Sequence, residues 1–134
     1  MIYLDSCALI KFVKQEKETD ALRSWRRDLP AGTELLTSEL AQLEITRTLL
    51  GAGVDYQRVP FLAGQALRGI YVVDLTSTVL SRAMSYRTPR LGSLDSMHLA
   101  SADPFREDLT DFVTYDSELG QAAADLGFPV RAPS

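Results

Sequence analysis

The stretch Ile2-Tyr3-Leu4-Asp5-Ser6-Cys7-Ala8-Leu9-Ile10 decides how this chain is read. Ile2-Tyr3-Leu4 is a short apolar run, the pattern of a buried strand. Asp5 cuts that run off, and an apolar helical segment over residues 8–13 follows at once. A carboxylate between two apolar segments is costly unless it is paired, hydrogen-bonded or liganded. Asp is also a common helix N-cap, so position alone leaves a structural and a functional reading open.

Working outward, strands and helices alternate. Residues 18–29 form a polar helix stopped by Pro30-Ala31-Gly32. Glu34-Leu35-Leu36-Thr37 reads as the second strand, with Ser38 as N-cap of a helix that runs to Leu50 and ends at Gly51-Ala52-Gly53. Asp55 caps a further helix toward Gly69, with Pro60 bending it or delaying its start. Ile70-Tyr71-Val72-Val73 is β-branched and aromatic, hence a strand. A helix over 78–86 is broken at Thr88-Pro89-Arg90, and Ser93 caps the next, through Ala102. A polar connection over 103–111 leads to the strand Phe112-Val113-Thr114 and a helix over 117–126 with Gly127 as its C-cap. Phe128-Pro129-Val130 is then a last, edge strand.

Short apolar strands separated by helices imply an α/β domain, with parallel pairing and helices on both faces of the sheet. The 134 residues, 46% of them apolar, suit one domain over 1–134. In such sheets ligands bind beyond the carboxyl ends of the strands. Asp5 directly follows the first strand, and Asp116 follows the Phe112 strand after one turn residue.

Composition removes several function classes. The single cysteine, Cys7, forms no internal disulfide and suits a reducing compartment, and no Cys/His cluster suggests zinc. No apolar run approaches transmembrane length, so a cytoplasmic location without membrane contact is expected. A net charge of −4 argues against a general basic nucleic-acid-binding module. It leaves a nuclease possible, because a cation held by gathered acids supplies positive charge to a phosphate. No P-loop, G-x-G-x-x-G or G-x-S-x-G motif occurs.

Two further acids deserve comparison with Asp5 and Asp116. Glu44 lies within the 38–50 helix, one turn from Leu40, with an exposed pairing to Arg47 as its plain alternative. Asp95 opens the next-to-last long helix, where an acid favours the helix dipole whatever else it does. His98, the single histidine, shares a face with Asp95; of a catalytic and a packed role, it reads as a packed histidine facing Leu94 and Ala102. Cys7 reads as a small buried residue.

Taken together these segments are familiar. Tyr3-Leu4-Asp5-Ser6-Cys7-Ala8-Leu9-Ile10-Lys11 closely resembles the opening of PIN-domain proteins, especially VapC-type toxins. Thr37-Ser38-Glu39-Leu40-Ala41-Gln42-Leu43-Glu44-Ile45-Thr46-Arg47 looks like the family's second motif, with Glu44 as its acid. Leu94-Asp95-Ser96-Met97-His98-Leu99-Ala100-Ser101-Ala102 resembles the third, and Phe112-Val113-Thr114-Tyr115-Asp116-Ser117-Glu118-Leu119 the fourth. Cys7 departs mildly, standing where the family usually has another small residue.

The resemblance implies a three-layer α/β/α fold and a metal-dependent endoribonuclease acting as the toxin of a type II toxin–antitoxin pair. It also implies a VapB-type antitoxin and a homodimer. It makes Asp5, Glu44, Asp95 and Asp116 the catalytic and metal-binding set, for Mg²⁺ or Mn²⁺, hard cations that prefer oxygen. Asp5 and Asp95 would be direct ligands, Asp116 would hold the metal or a water on it, and Glu44 would be a ligand or a water-positioning base. Ser6 and Thr114 are candidates to orient these acids. Lys11, Lys14 and Arg47 are candidate phosphate contacts, though ordinary solvated charges otherwise. The rival readings are an interaction protein with a silent site and a metal-dependent DNA nuclease or phosphatase.

Overall fold

Three residues suffice for the first strand, β1 (Ile2–Leu4), because it lies at the centre of the sheet and all three are buried. A parallel sheet covered on both faces favours such short, continuously apolar strands. The computed structural model describes residues 1–134. The other strands are β2 (Leu35–Ser38), β3 (Ile70–Val73), β4 (Asp111–Val113) and β5 (Val130–Arg131), all parallel, in the order β3-β2-β1-β4-β5. The register places Leu4 beside Val113 and Ile2 beside Leu35.

Seven α-helices connect them: α1 (Ser6–Ile10), α2 (Thr19–Arg27), α3 (Leu40–Gly51), α4 (Val59–Ala66), α5 (Ser77–Ser85), α6 (Ser93–Ala102) and α7 (Ser117–Asp125). Successive side chains of a strand point to opposite faces, and β1 divides the molecule accordingly. Ile2 and Leu4 join a core with Ala8 and Leu9 of α1, Leu22 of α2, Ala41, Ile45 and Leu49 of α3, and Ala63 of α4. Tyr3 joins a second core with Leu36, Leu99 of α6, Phe112, Leu119 and Ala123 of α7, and Phe128. The result is the expected three-layer α/β/α architecture.

Strand order leaves β1 in one direction toward β2 and β3, and in the other toward β4 and β5. The carboxyl ends of β1 and β4 therefore flank a topological switch point, where open α/β sheets bind ligands. Asp5 N–H donates to the Val113 carbonyl there (3.2 Å).

Several boundaries differ from the sequence expectation. Ser38 ends β2 rather than belonging to α3, although its Oγ does accept from Leu40 N–H (3.1 Å). Glu39 stands before the helix, and its Oε1 accepts from Leu75 N–H (2.9 Å). Ser93 lies inside α6, whose N-cap position is Gly92. Asp55 caps only a turn, through Gln57 N–H, before α4 begins with Pro60 in its first turn. The 103–111 connection contains a 3₁₀ helix, Asp103–Asp108. The last strand is Val130–Arg131 rather than 128–130. Gly127, at φ +88, turns the chain after α7, and Phe128 is then spent in the second core. Pro129 contributes only its carbonyl, which accepts from Phe112 N–H (2.7 Å).

Candidate active site

Asp5 does two jobs. It is the N-cap of α1, its Oδ1 accepting from Ala8 N–H (2.9 Å). Its Oδ2 accepts from the Thr114 hydroxyl (2.5 Å). The residue is only 2% exposed and has no cationic partner within ion-pair distance. Burial pushes its carboxyl up to about 6. His98 and the two hydrogen bonds oppose that rise, and Glu44 adds to it. A buried carboxylate with hydrogen bonds but no counter-charge is an open electrostatic account.

Thr114 couples two acids. Its hydroxyl donates to Asp5 and accepts from Asp116 N–H (3.0 Å). Asp116 caps α7, with Oδ1 accepting from Glu118 N–H (2.9 Å) and Leu119 N–H (3.1 Å). Only one of its oxygens is used in this way. Asp116→Asn keeps that acceptor and should leave the melting temperature near wild type. Asp116→Ala removes it and should cost about 1 kcal/mol, read by urea denaturation. Comparing the two separates the cap from the charge.

Asp95, in the first turn of α6, is half-buried and makes no hydrogen bond or ion pair with the protein. Its carboxyl is raised by burial first, then by the negative charge of Asp116, with Glu44 and Glu118 adding and His98 opposing. Glu44 reaches the same region from α3. Its Oε1 lies 2.5 Å from His98 Nε2, and His98 Nδ1 lies 2.7 Å from the Tyr3 hydroxyl. The four acids thus share one electrostatic neighbourhood at the carboxyl edge of the sheet. As the side chains lie, no three His, Cys, Asp or Glu groups close around a common point. Uncompensated carboxylate oxygens, with no thiolate among them, form a donor set for a hard divalent cation. Mg²⁺ commonly takes only one or two carboxylates and keeps its waters, so it requires no closed protein cage.

Other expectations need correction. Ser6 makes no hydrogen bond to an acid; the groups that orient the Asp5 oxygens are Ala8 N–H and the Thr114 hydroxyl. Glu44 pairs with His98, not with Arg47. Cys7 is exposed, since α1 buries Ala8, Leu9 and Ile10 instead; partial desolvation by the protein around the thiol, together with the charge of Asp5, pushes it up to about 11. Lys11 is neither solvated nor free for phosphate. It is 7% exposed, bonded to Glu18 (2.9 Å) and Glu16 (3.3 Å), and lies 4.8 Å from the Tyr115 ring centroid. Sequence reasoning also missed Tyr3, and it set a packed reading of His98 above a catalytic one. The available signal was His98 standing three residues after Asp95 on one helix.

The family profile of the PIN domain matches residues 2–125. The chain belongs to the PIN-domain family. Its relatives place it in the VapC branch of the PIN proteins. Ribonuclease VapC47 of Mycobacterium tuberculosis is 35% identical over 136 residues, spanning 99% of this chain and 97% of its own. Ribonuclease VapC35 of the same organism is 36% identical over 138 residues, with the same coverage. The PIN fold is shared with solved structures of much lower identity. Mycobacterium tuberculosis VapC20, a sarcin-ricin loop cleaving toxin, superposes with a TM-score of 0.76 at 13% identity, covering 99% of this chain and 100% of that one. VapBC2 from Rickettsia felis, bound to a promoter DNA fragment, gives 0.75 at 13% identity and covers both chains fully.

Proposed function

We propose that this PIN-domain chain is a divalent-metal-dependent endoribonuclease, the toxin of a toxin–antitoxin pair. The observation that carries the reading is Asp5: a carboxylate at the end of the central strand, buried and without a cation, whose proton affinity Glu44 raises, while Glu44 and Asp116 do the same to Asp95. The full-length relatives named ribonuclease VapC support the chemistry.

Asp5 and Asp95 would hold the cation, Mg²⁺ or Mn²⁺, with Asp116 beside them. Once bound, such an ion polarises the scissile phosphate and lowers the pKa of the attacking water. The chain's own contribution is positional. Thr114 and Ala8 N–H fix both oxygens of Asp5, the α7 amides fix one oxygen of Asp116, and His98 fixes one oxygen of Glu44. Glu44 is the group placed to orient water or to complete the ligand set. The substrate is RNA, whose phosphates meet a site made positive by the ion rather than by Lys or Arg.

The biological setting follows the same relatives. A VapB-type antitoxin restrains the enzyme, and the working unit is a homodimer in the cytoplasm. The antitoxin reading is supported by the fold shared with VapBC-1 of nontypeable Haemophilus influenzae (TM-score 0.73, 14% identity) and with the Rickettsia felis VapBC2 structure. No helix is long and apolar enough to cross a membrane.

The test compares RNA, single-stranded DNA and a phosphomonoester, each with Mg²⁺, with Mn²⁺ and with excess EDTA. Cleavage of RNA alone, lost in EDTA and restored by either ion, is the expected result. Undiminished RNA cleavage in EDTA, or preference for either other substrate, contradicts the proposal.

A further inference from the structure

His98 is the only histidine of the chain, and it is buried at 1% exposure between two oxygens. Tyr3 lies on one side at 2.7 Å from Nδ1, and Glu44 on the other at 2.5 Å from Nε2. A neutral imidazole carries one proton, so one nitrogen donates and the other accepts. Carboxylate oxygens only accept. A phenol, with a pKa of about 10, is an O–H donor near neutral pH. The one arrangement that satisfies both neighbours has Tyr3 O–H donating to Nδ1 and Nε2–H donating to Glu44. The reverse tautomer sets a nitrogen lone pair against a carboxylate.

The far end of this chain is rigid. Tyr3 sits on the central strand, stacked on Phe112 (centroids 5.0 Å apart, planes at 12°), and meets the His98 ring edge-on (5.9 Å, 77°). The near end joins helices that serve different cores. α3 packs through Ala41 and Ile45 in the first core, and α6 through Leu99 in the second. A Glu side chain on a helix surface ordinarily samples several rotamers. This one is tied, through one imidazole, to the strand that leads directly into Asp5.

We propose that Tyr3 and His98 are positioning residues: Tyr3 sets the tautomer of His98, and His98 holds Glu44 at a fixed place in the metal site. The idea rests on the metal-dependent reading above, and its test is arranged so that the two fail separately. Such outer partners typically contribute 10–100-fold to metal affinity or activity.

The experiment has two readouts. Long-range ¹H–¹⁵N correlation of the single histidine reports which ring nitrogen bears the proton, without any metal. The expected result is a protonated Nε2 and a bare Nδ1. A proton on Nδ1, alone or with one on Nε2, overturns the proposal. Mn²⁺ affinity is then measured by calorimetry for wild type, Tyr3→Phe, His98→Leu and His98→Gln. About tenfold weaker binding is expected for Tyr3→Phe and about 10–100-fold for His98→Leu. His98→Gln, whose amide can place an N–H near the Nε2 position, should stay within a few-fold of wild type. Wild-type affinity in both Tyr3→Phe and His98→Leu overturns the proposal. Should His98→Leu fail to fold, Tyr3→Phe, which keeps the stacked ring, decides. Absence of Mn²⁺ binding by the wild type sinks the metal reading, and the histidine tautomer still decides the hydrogen-bonded relay.

Discussion

Asp5→Asn should abolish RNA cleavage while leaving the metal-free fold at least as stable as wild type at pH 7. The two effects have one cause. Removing the charge takes away a cation ligand, and a metal site contributes several kcal/mol of transition-state stabilisation, on the order of a thousandfold in rate. The same charge burdens the empty protein. Folding raises the Asp5 carboxyl from 3.8 to about 6, so the folded chain binds that proton more tightly than the unfolded one. The proton's stabilising contribution is full below about pH 4 and is lost as pH rises through 6. Above pH 6 the ionised form costs about 3 kcal/mol, at roughly 1.4 kcal/mol per pKa unit. In EDTA, wild type should therefore melt higher at pH 5 than at pH 7. Asp95, raised in the same direction, adds to the trend. In Asp5→Asn the pH 5 advantage should shrink, because Asn keeps the acceptor for Ala8 N–H but carries no charge. Thermal melts at both pH values, with a gel assay on RNA, check both halves. Cleavage at the wild-type rate by Asp5→Asn removes Asp5 from the mechanism.

Phe112→Ala should destabilise the protein by about 3–5 kcal/mol, the usual cost of emptying a buried phenylalanine site. Phe112 is fully buried on β4 and stacks on Tyr3, with Phe128 tilted against it at 5.4 Å. A domain of this size holds about 5–15 kcal/mol in all. The substitution should lower the urea midpoint strongly with little change in slope, since the surface exposed on unfolding is nearly the same. It also removes the backing of Tyr3, so metal affinity should fall even where the variant is folded. A midpoint within experimental error of wild type contradicts the packing described.

Much of the site could be read because its chemistry is local. Asp5 and Asp116 each end a short apolar run, and a charge directly after a buried strand stands out in any sequence. Their caps are local too, since each acid accepts from an amide three residues on. The Glu44–His98 bond is different. It joins positions 54 apart on helices that pack in separate cores, and periodicity reports which face of a helix is apolar, not which side chain lies opposite. Lys11 misled for a related reason. A lysine near a helix end ordinarily reaches water, but here the turn after α1 folds Glu16 and Glu18 back over it. The last strand was misplaced by one or two residues because Phe128 belongs to a core and only the Pro129 carbonyl serves the ladder. Ser6 looked suited to orienting Asp5 by adjacency, yet Thr114, 109 positions away, occupies that role in space.

The central claim is that these carboxylates form one cation site with Asp5 at its heart. A calorimetric titration of the metal-free chain with Mn²⁺ at pH 7.5, wild type beside Asp5→Asn, tests it most directly. Saturable binding to the wild type that disappears in the folded Asp5→Asn variant is the predicted result. No binding to the wild type, or equal binding to both, would contradict it.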